Sequence, residues 1–193
     1  YITTKSGIYK DKPFNVDFDL GTGSNGTYSG STTISGYNNG FYYALSGSSY
    51  STKGISAVSK DRFSYTSESG AAKLTSGAVE RDKFHKDNAS LRLGYDKNDK
   101  GVELLVSQSS QTAHYDNPYS MTTETTIDEN TRNRENVLRL SGYIGSDQEL
   151  FKNKISLSQI KTQIDRFGTN PGAYDAKKLN TNYQLDVNFD REV

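Results

Sequence analysis

The chain has 193 residues, 23 acidic and 23 basic side chains, no cysteine, and a hydrophobic content of only 32%. That apolar content is low for a protein that must bury a core, so an ordinary globular fold is not expected. The balanced charge gives no bulk attraction to nucleic acid, and the lack of cysteine excludes disulfide scaffolds and thiolate metal sites.

Apolar and polar residues alternate with a period of two in many short segments, whereas helical periodicity is nearly absent. No apolar run approaches the roughly 20 residues that a membrane-spanning helix needs. The first alternating segment, residues 14–21, places polar residues between Phe14, Val16, Phe18 and Leu20. Alternation of this kind predicts a β-strand with one apolar and one polar face.

Further strands are predicted, in chain order, at 28–36, 41–50, 89–95, 102–111, 138–144, 154–165 and 183–189. They bring the total to about eight, each near the roughly 9 to 11 residues that cross a bilayer at a tilt. An all-β fold follows, in which apolar faces turn either outward to lipid or inward to a core.

The predicted connections alternate in length, with short turns at 36–40, 96–101 and 145–153 and long ones at 51–86, 113–133 and 166–179. Only the connection at 22–27 breaks the alternation. Outer-membrane barrels have short turns at one end and longer loops at the other, so the sequence predicts an antiparallel transmembrane β-barrel. A water-soluble sandwich or lipocalin-like barrel is the alternative, but Asp17, Arg92 and Arg139 on the polar faces and the low apolar content disfavour it.

Several segments, in order along the chain, resemble the TonB-dependent outer-membrane transporters. Residues 1–7, Tyr-Ile-Thr-Thr-Lys-Ser-Gly, look like the last strand of the family's plug domain, and residues 8–13 look like the linker that follows it. Residues 23–28 and 36–47 resemble the first hairpin and the third strand. Residues 52–57 and 80–84 resemble the ends of the second extracellular loop, although Lys83 stands where the family usually has glycine.

The resemblance implies that residues 14–193 form the N-terminal portion of a larger plugged barrel, of about 22 strands. It also implies energy-coupled uptake of a scarce, bulky nutrient across the bacterial outer membrane, with the TonB complex acting through a plug segment expected upstream of residue 1. Residues 115–119 and 150–166 look most like the cobalamin branch. Siderophore receptors share much of the early barrel, so the expected partners are cobalamin or a ferric siderophore, together with outer-membrane lipid.

Acidic residues in the predicted loops suggest calcium, which binds several carboxylate and carbonyl oxygens in flexible loops. Glu80, Asp82 and Asp116 match the family's acidic positions best, and solvated loop charges are the alternative. Loop tyrosines can stack on a corrin or a catecholate, and the candidates for substrate contact are Tyr65, Tyr115, Tyr119 and Tyr174.

Seven other tyrosines lie near predicted strand ends, where amphipathic rings form interfacial girdles: Tyr28, Tyr37, Tyr42, Tyr43, Tyr50, Tyr95 and Tyr143. No catalytic residue is predicted, because neither histidine has a ligand or nucleophile at a useful spacing, and an enzyme embedded in a barrel would need a Ser-His or Asp-His pair. A complete small eight-stranded outer-membrane barrel, with a structural or adhesion role, is the main alternative to a transporter.

Overall fold

The computed structural model describes residues 12–55, 81–115, 129–168 and 170–189. They form eight strands and a short 3-10 helix (Ser24–Gly26) between the first two. The strands are β1 (Asn15–Gly23), β2 (Thr27–Asn38), β3 (Phe41–Thr52), β4 (Phe84–Lys97), β5 (Lys100–His114), β6 (Asn130–Ile144), β7 (Phe151–Phe167) and β8 (Gly172–Val187). The predicted all-β class and the predicted number of strands are confirmed over these residues.

All eight strands belong to one antiparallel sheet in the order β1-β2-β3-β4-β5-β6-β7-β8, so each strand pairs with its neighbours in the chain. β1 and β8 are its two edges, and the described residues contain no pairing between them. One end of the sheet, the turn end, carries residues 39–40, 98–99 and 145–150. The other, the loop end, carries residues 24–26 and the described residues that flank the remaining connections, 53–55, 81–83, 115, 129, 168 and 170–171.

The last connection differs from the prediction of a long loop at 166–179. β7 continues to Phe167 and β8 begins at Gly172, so that Arg166 pairs with Gly172 and Ile164 pairs with Tyr174. Neither face of the first half of β8 is consistently apolar, and its sequence therefore lacks the period-two signal. The other two predicted long connections lie largely outside the described residues.

Strand length also differs from the prediction, because β4 has 14 residues, β7 has 17 and β8 has 16. The extra residues extend the hairpins beyond the roughly 9 to 11 that a bilayer requires. At the turn end, Asn39, Gly40, Asn98 and Asp99 all have positive φ. Two consecutive left-handed residues form the type I′ geometry, whose twist matches that of the flanking strands.

The pairing register divides the side chains between two faces. On the apolar face, one row that crosses the whole sheet consists of Val16, Ile34, Leu45, Leu91, Val106, Leu138, Gln159 and Leu179. On the polar face, the adjacent row begins with Asp17, Thr33, Ser46, Ser90 and Ser107.

Side chains on the apolar face are the more exposed ones. Leu45 is 51% exposed and Leu138 is 47% exposed, whereas the polar-face residues beside them are half-buried or, at Ala44, buried. Among the described residues, Ala44 is the single buried hydrophobic residue. Within the described residues the sheet is therefore one layer, and none of these residues forms a hydrophobic core over either face.

Candidate functional site

The polar face carries an ionic cluster made of Tyr42, Arg92, Glu103 and Arg139, one residue from each of β3, β4, β5 and β6. The Arg139 Nη2 donates to Glu103 Oε1 at 3.2 Å, and the Arg92 Nη1 lies 3.6 Å from Oε2. The Tyr42 hydroxyl donates to the same Oε2 at 3.0 Å. A single carboxylate therefore connects four adjacent strands.

The register explains why these side chains meet. Glu103 lies directly opposite Gly94 on β4, while Arg92 and Arg139 flank the next polar-face position, Leu105. A Cβ at Gly94 would lie 2.2 Å from Cζ of Tyr42, so the missing side chain at Gly94 is what lets the tyrosine ring cross β4 toward Glu103. The cluster depends on glycine at this position as much as on its charged members.

A second polar group continues from the cluster toward the turn end. The Tyr143 hydroxyl donates to a carboxylate oxygen of Asp96, and Lys154 pairs with Asp186 at 2.7 Å. Like Tyr42, Tyr143 lies over a glycine, because a Cβ at Gly101 would meet its ring at 2.2 Å. The polar face thus has ion-paired side chains on β4 to β8, joined to β3 by the Tyr42 hydroxyl.

At the start of β7, Lys152 donates to Asp147 of the preceding turn at 2.8 Å. The hydrogen bond from Lys152 and the charge of its ammonium lower the pKa of Asp147. The Lys152 ammonium also lies 5.2 Å from the centre of the Tyr143 ring, within the range of a cation-π contact. These contacts join the turn to the polar face.

Of the residues proposed for calcium, the structure describes only Asp82. Asp82 is half-buried at the loop end, where its backbone N–H donates to the Ile55 carbonyl at 3.3 Å. Glu80 and Asp116 lie outside the described residues, and the described ones contain no group of three or more His, Cys, Asp or Glu side chains suited to a metal. The calcium site stays a prediction.

Of the tyrosines proposed for substrate contact, Tyr115 and Tyr174 are described, while Tyr65 and Tyr119 lie outside the described residues. Tyr115 follows β5 at the loop end, where its N–H donates to the Glu129 carbonyl at 3.0 Å. Tyr174 lies within β8 rather than in a loop, on the polar face and 61% exposed. β6 and β7 lie between the two residues and separate their strands by about 14 Å, so the two side chains do not contact each other, and their role in substrate contact stays a prediction.

The tyrosines predicted to form interfacial girdles divide between the two faces. Tyr28, Tyr43 and Tyr95 lie on the apolar face, where Tyr95 packs against Phe41 with ring centres 4.8 Å apart. The register places the other four on the polar face: Tyr37, Tyr42, Tyr50 and Tyr143. The girdle interpretation fits only the first group.

The ionic cluster was not predicted from the sequence. The alternation places Arg92 and Arg139 on polar faces, each between two leucines, at residues 91–93 and 138–140. Only the strand register brings Glu103 between the two arginines.

Comparison with protein-family models, with curated proteins and with solved structures gave no match. The two faces of the sheet therefore provide the observations from which a function can be inferred.

Proposed function

We propose that this chain forms part of the wall of a bacterial outer-membrane β-barrel, in a TonB-dependent receptor for uptake of cobalamin or a ferric siderophore. The observation that carries the proposal is the inverted distribution of polarity, with an exposed apolar face and a more shielded, charged polar face. In a water-soluble sheet, the apolar face is instead the covered one.

Lipid is the environment that suits the apolar face. Phe18, Leu91 and Leu140, with many neighbours, expose aliphatic or aromatic surface to whatever surrounds the sheet. Transfer of one such side chain out of water contributes about 1.5 to 3 kcal/mol, and soluble monomers rarely leave a continuous apolar surface of several strands uncovered. A closed antiparallel barrel can expose such a face to a bilayer because its strands satisfy all backbone hydrogen bonds.

The apolar side chains of this face form a band, the apolar belt, that crosses the sheet diagonally from Val16, Phe18 and Leu20 on β1 to Tyr183, Leu185 and Val187 on β8. On β1 the belt is centred on Phe18, which the register aligns across the sheet with Lys177. On β8 it is centred on Tyr183, six residues nearer the turn end. At about 3.3 Å per residue, the belt shifts by roughly 20 Å along the strands, and at about 4.8 Å per strand it does so over roughly 34 Å of sheet width. For the belt to lie parallel to a membrane plane, the strands must therefore tilt by about 30° from the membrane normal. Outer-membrane barrels tilt by roughly 35–45°.

Successive side chains along one strand should alternate between contact with lipid and contact with water, and spin labelling can test this directly. The chain contains no cysteine, so Leu91→Cys, Ser90→Cys, Val106→Cys and Ser107→Cys each add a single nitroxide site within it, and the unsubstituted natural protein serves as the background control. In the natural protein reconstituted into phosphatidylcholine vesicles, oxygen should relax the labels at 91 and 106. A water-soluble nickel chelate should relax those at 90 and 107. Equal access of the chelate to all four positions would refute the barrel.

The nutrient and the TonB complex enter through the family resemblance, and they need a separate test. Purified natural protein should bind cyanocobalamin or a ferric siderophore saturably, and calcium should strengthen binding if the predicted loop site at Glu80, Asp82 and Asp116 forms. Binding of one ligand identifies the nutrient. Failure to bind either would remove the uptake role without affecting the barrel.

A complete eight-stranded barrel is the second candidate, favoured by the count of eight strands in unbroken neighbour order. A barrel of this size closes with side chains filling its interior, and it requires β1 to pair with β8. The intact mass of the native protein separates the two. A mass about three times the 21.4 kDa of this chain supports a barrel of about 22 strands, whereas a mass near 21.4 kDa supports the small one.

A further inference from the structure

Three basic side chains gather on the apolar face just where its apolar belt ends. Lys161 on β7 and Lys177 on β8 are directly opposite each other, and Arg134 on β6 is diagonal to Lys161, across the Asn136–Lys161 pair. Residues directly opposite on one face have Cβ atoms about 5 Å apart, and diagonal neighbours are about 7–8 Å apart. Side chains as long as lysine and arginine can therefore reach one common point.

Like charges directly opposite each other destabilise a strand pair, so the Lys161–Lys177 pair needs a counter-charge. Within the described residues, none of the three basic side chains forms an ion pair. The acids closest in register on this face are Asp175, opposite Gln163, and Asp165, opposite Arg132. They neutralise only part of the charge, because four basic residues share the loop ends of these three strands.

The position of the three basic residues limits which anion can approach them. Lys177 lies on the same face of β8 as Leu179, two residues (about 7 Å) nearer the loop end, and Leu179 is 70% exposed. Arg134 is likewise two steps beyond Leu138 on β6. If the apolar belt lies in hydrocarbon, these cations stand at the depth of the lipid headgroups, on the outside of the sheet and away from the polar face.

We propose that Arg134, Lys161 and Lys177 form a binding site for the phosphate of an anionic lipid in the leaflet at the loop end. The inference rests on the proposed membrane barrel, since the headgroup depth is set by the apolar belt. Phosphate fits because its oxygens accept hydrogen bonds from ammonium and guanidinium groups together, and basic residues at a membrane surface attract anionic headgroups.

The test compares two double variants with the same change in net charge. Lys161→Gln/Lys177→Gln removes the opposed pair, and Lys86→Gln/Lys178→Gln removes two lysines of the polar face on β4 and β8. The natural protein and its two double variants are each purified in detergent that contains phosphatidic acid and phosphatidylcholine at equal concentrations. The bound lipids are counted by native mass spectrometry. Each basic group near a membrane surface contributes roughly a fivefold preference for anionic lipid, so the first variant should lose roughly thirtyfold.

The control variant should keep the preference of the unmodified protein, and millimolar inorganic phosphate should not displace the lipid. Unchanged retention in the first variant, equal loss in the control, or displacement by inorganic phosphate would each overturn the site. The nitroxide at Leu91→Cys, measured in the same samples, separates this failure from failure of the barrel. If the label reports lipid but the protein shows no preference for anionic lipid, only the headgroup site is refuted. If the label reports water, the barrel and the headgroup site are both refuted.

Discussion

Replacing Leu91 by arginine gives the sharpest energetic test of the proposal that the apolar belt lies in lipid. Leu91 lies in the full cross-strand row of the apolar face, opposite Leu45 and Val106. The first charged position toward the loop end on its strand and face is Asp87, four residues away, or about 13 Å along the strand. At the tilt of about 30° required by the belt, that is about 11 Å of depth, which places Leu91 near the middle of an apolar band roughly 25 Å tall.

An arginine at the bilayer midplane costs about 2–4 kcal/mol, and this cost falls to about 0–1 kcal/mol near the interfaces. Leu91→Arg should therefore lower the folding equilibrium constant roughly 30- to 700-fold. Gln108→Arg, on the same face beyond the belt, and Ser90→Arg, on the polar face, should each cost less than about 1 kcal/mol.

The assay is a guanidinium titration of the natural protein in phosphatidylcholine vesicles, with the folded fraction read from gel mobility of unheated samples. An exposed leucine in water tolerates this change within about 0.5 kcal/mol. If Leu91→Arg costs no more than its two controls, the apolar face does not lie in hydrocarbon and the reasoning fails.

Three further predictions concern packing and charge. Gly94→Ala should destabilise the sheet by about 1–3 kcal/mol, because its methyl group collides with a tyrosine ring, whereas Gly47→Ala, with nothing within 4 Å, should be neutral or stabilising in the same titration. Glu103→Gln should cost about 1–2 kcal/mol, since two partly exposed guanidinium groups lose their counter-charge, and 1 M salt should reduce that loss. Lys152→Met should raise the pKa of Asp147 toward its ordinary value in a carboxyl NMR titration, because the lysine stabilises the carboxylate; an unchanged titration would mean that the contact is absent in solution.

The strands that sequence alone located are those in which one face is consistently apolar. In β1, Val16, Phe18 and Leu20 alternate with polar residues, and the predicted and observed strands differ by one or two residues at their ends. The first half of β8 was missed because Ala173, Asp175 and Lys177 occupy the apolar face there. Beyond the apolar belt, a strand continues through backbone hydrogen bonds to its neighbour, so the alternation of side-chain polarity no longer indicates that the strand is present.

The ionic cluster could not be predicted for a different reason. Arg92 and Glu103 are separated by a turn whose length sets the register, and a shift of one residue would place Glu103 on the opposite face. Sequence gives the residue types and the turn, but the pairing decides which charges meet. Tyr174 illustrates the same limit, because its assignment to a loop depended on a strand boundary that only the pairing with Ile164 reveals.

The unbroken neighbour order of the eight strands has an evolutionary consequence. Since every strand pairs only with strands adjacent in the chain, a whole hairpin can be duplicated or deleted without rethreading any connection. Such an event would change the circumference of a barrel and leave all other pairings in register. If the proposed barrel is correct, its wall would grow in this way to fit a larger cargo, while each hairpin keeps its own turn, its own apolar row and its own polar-face charges.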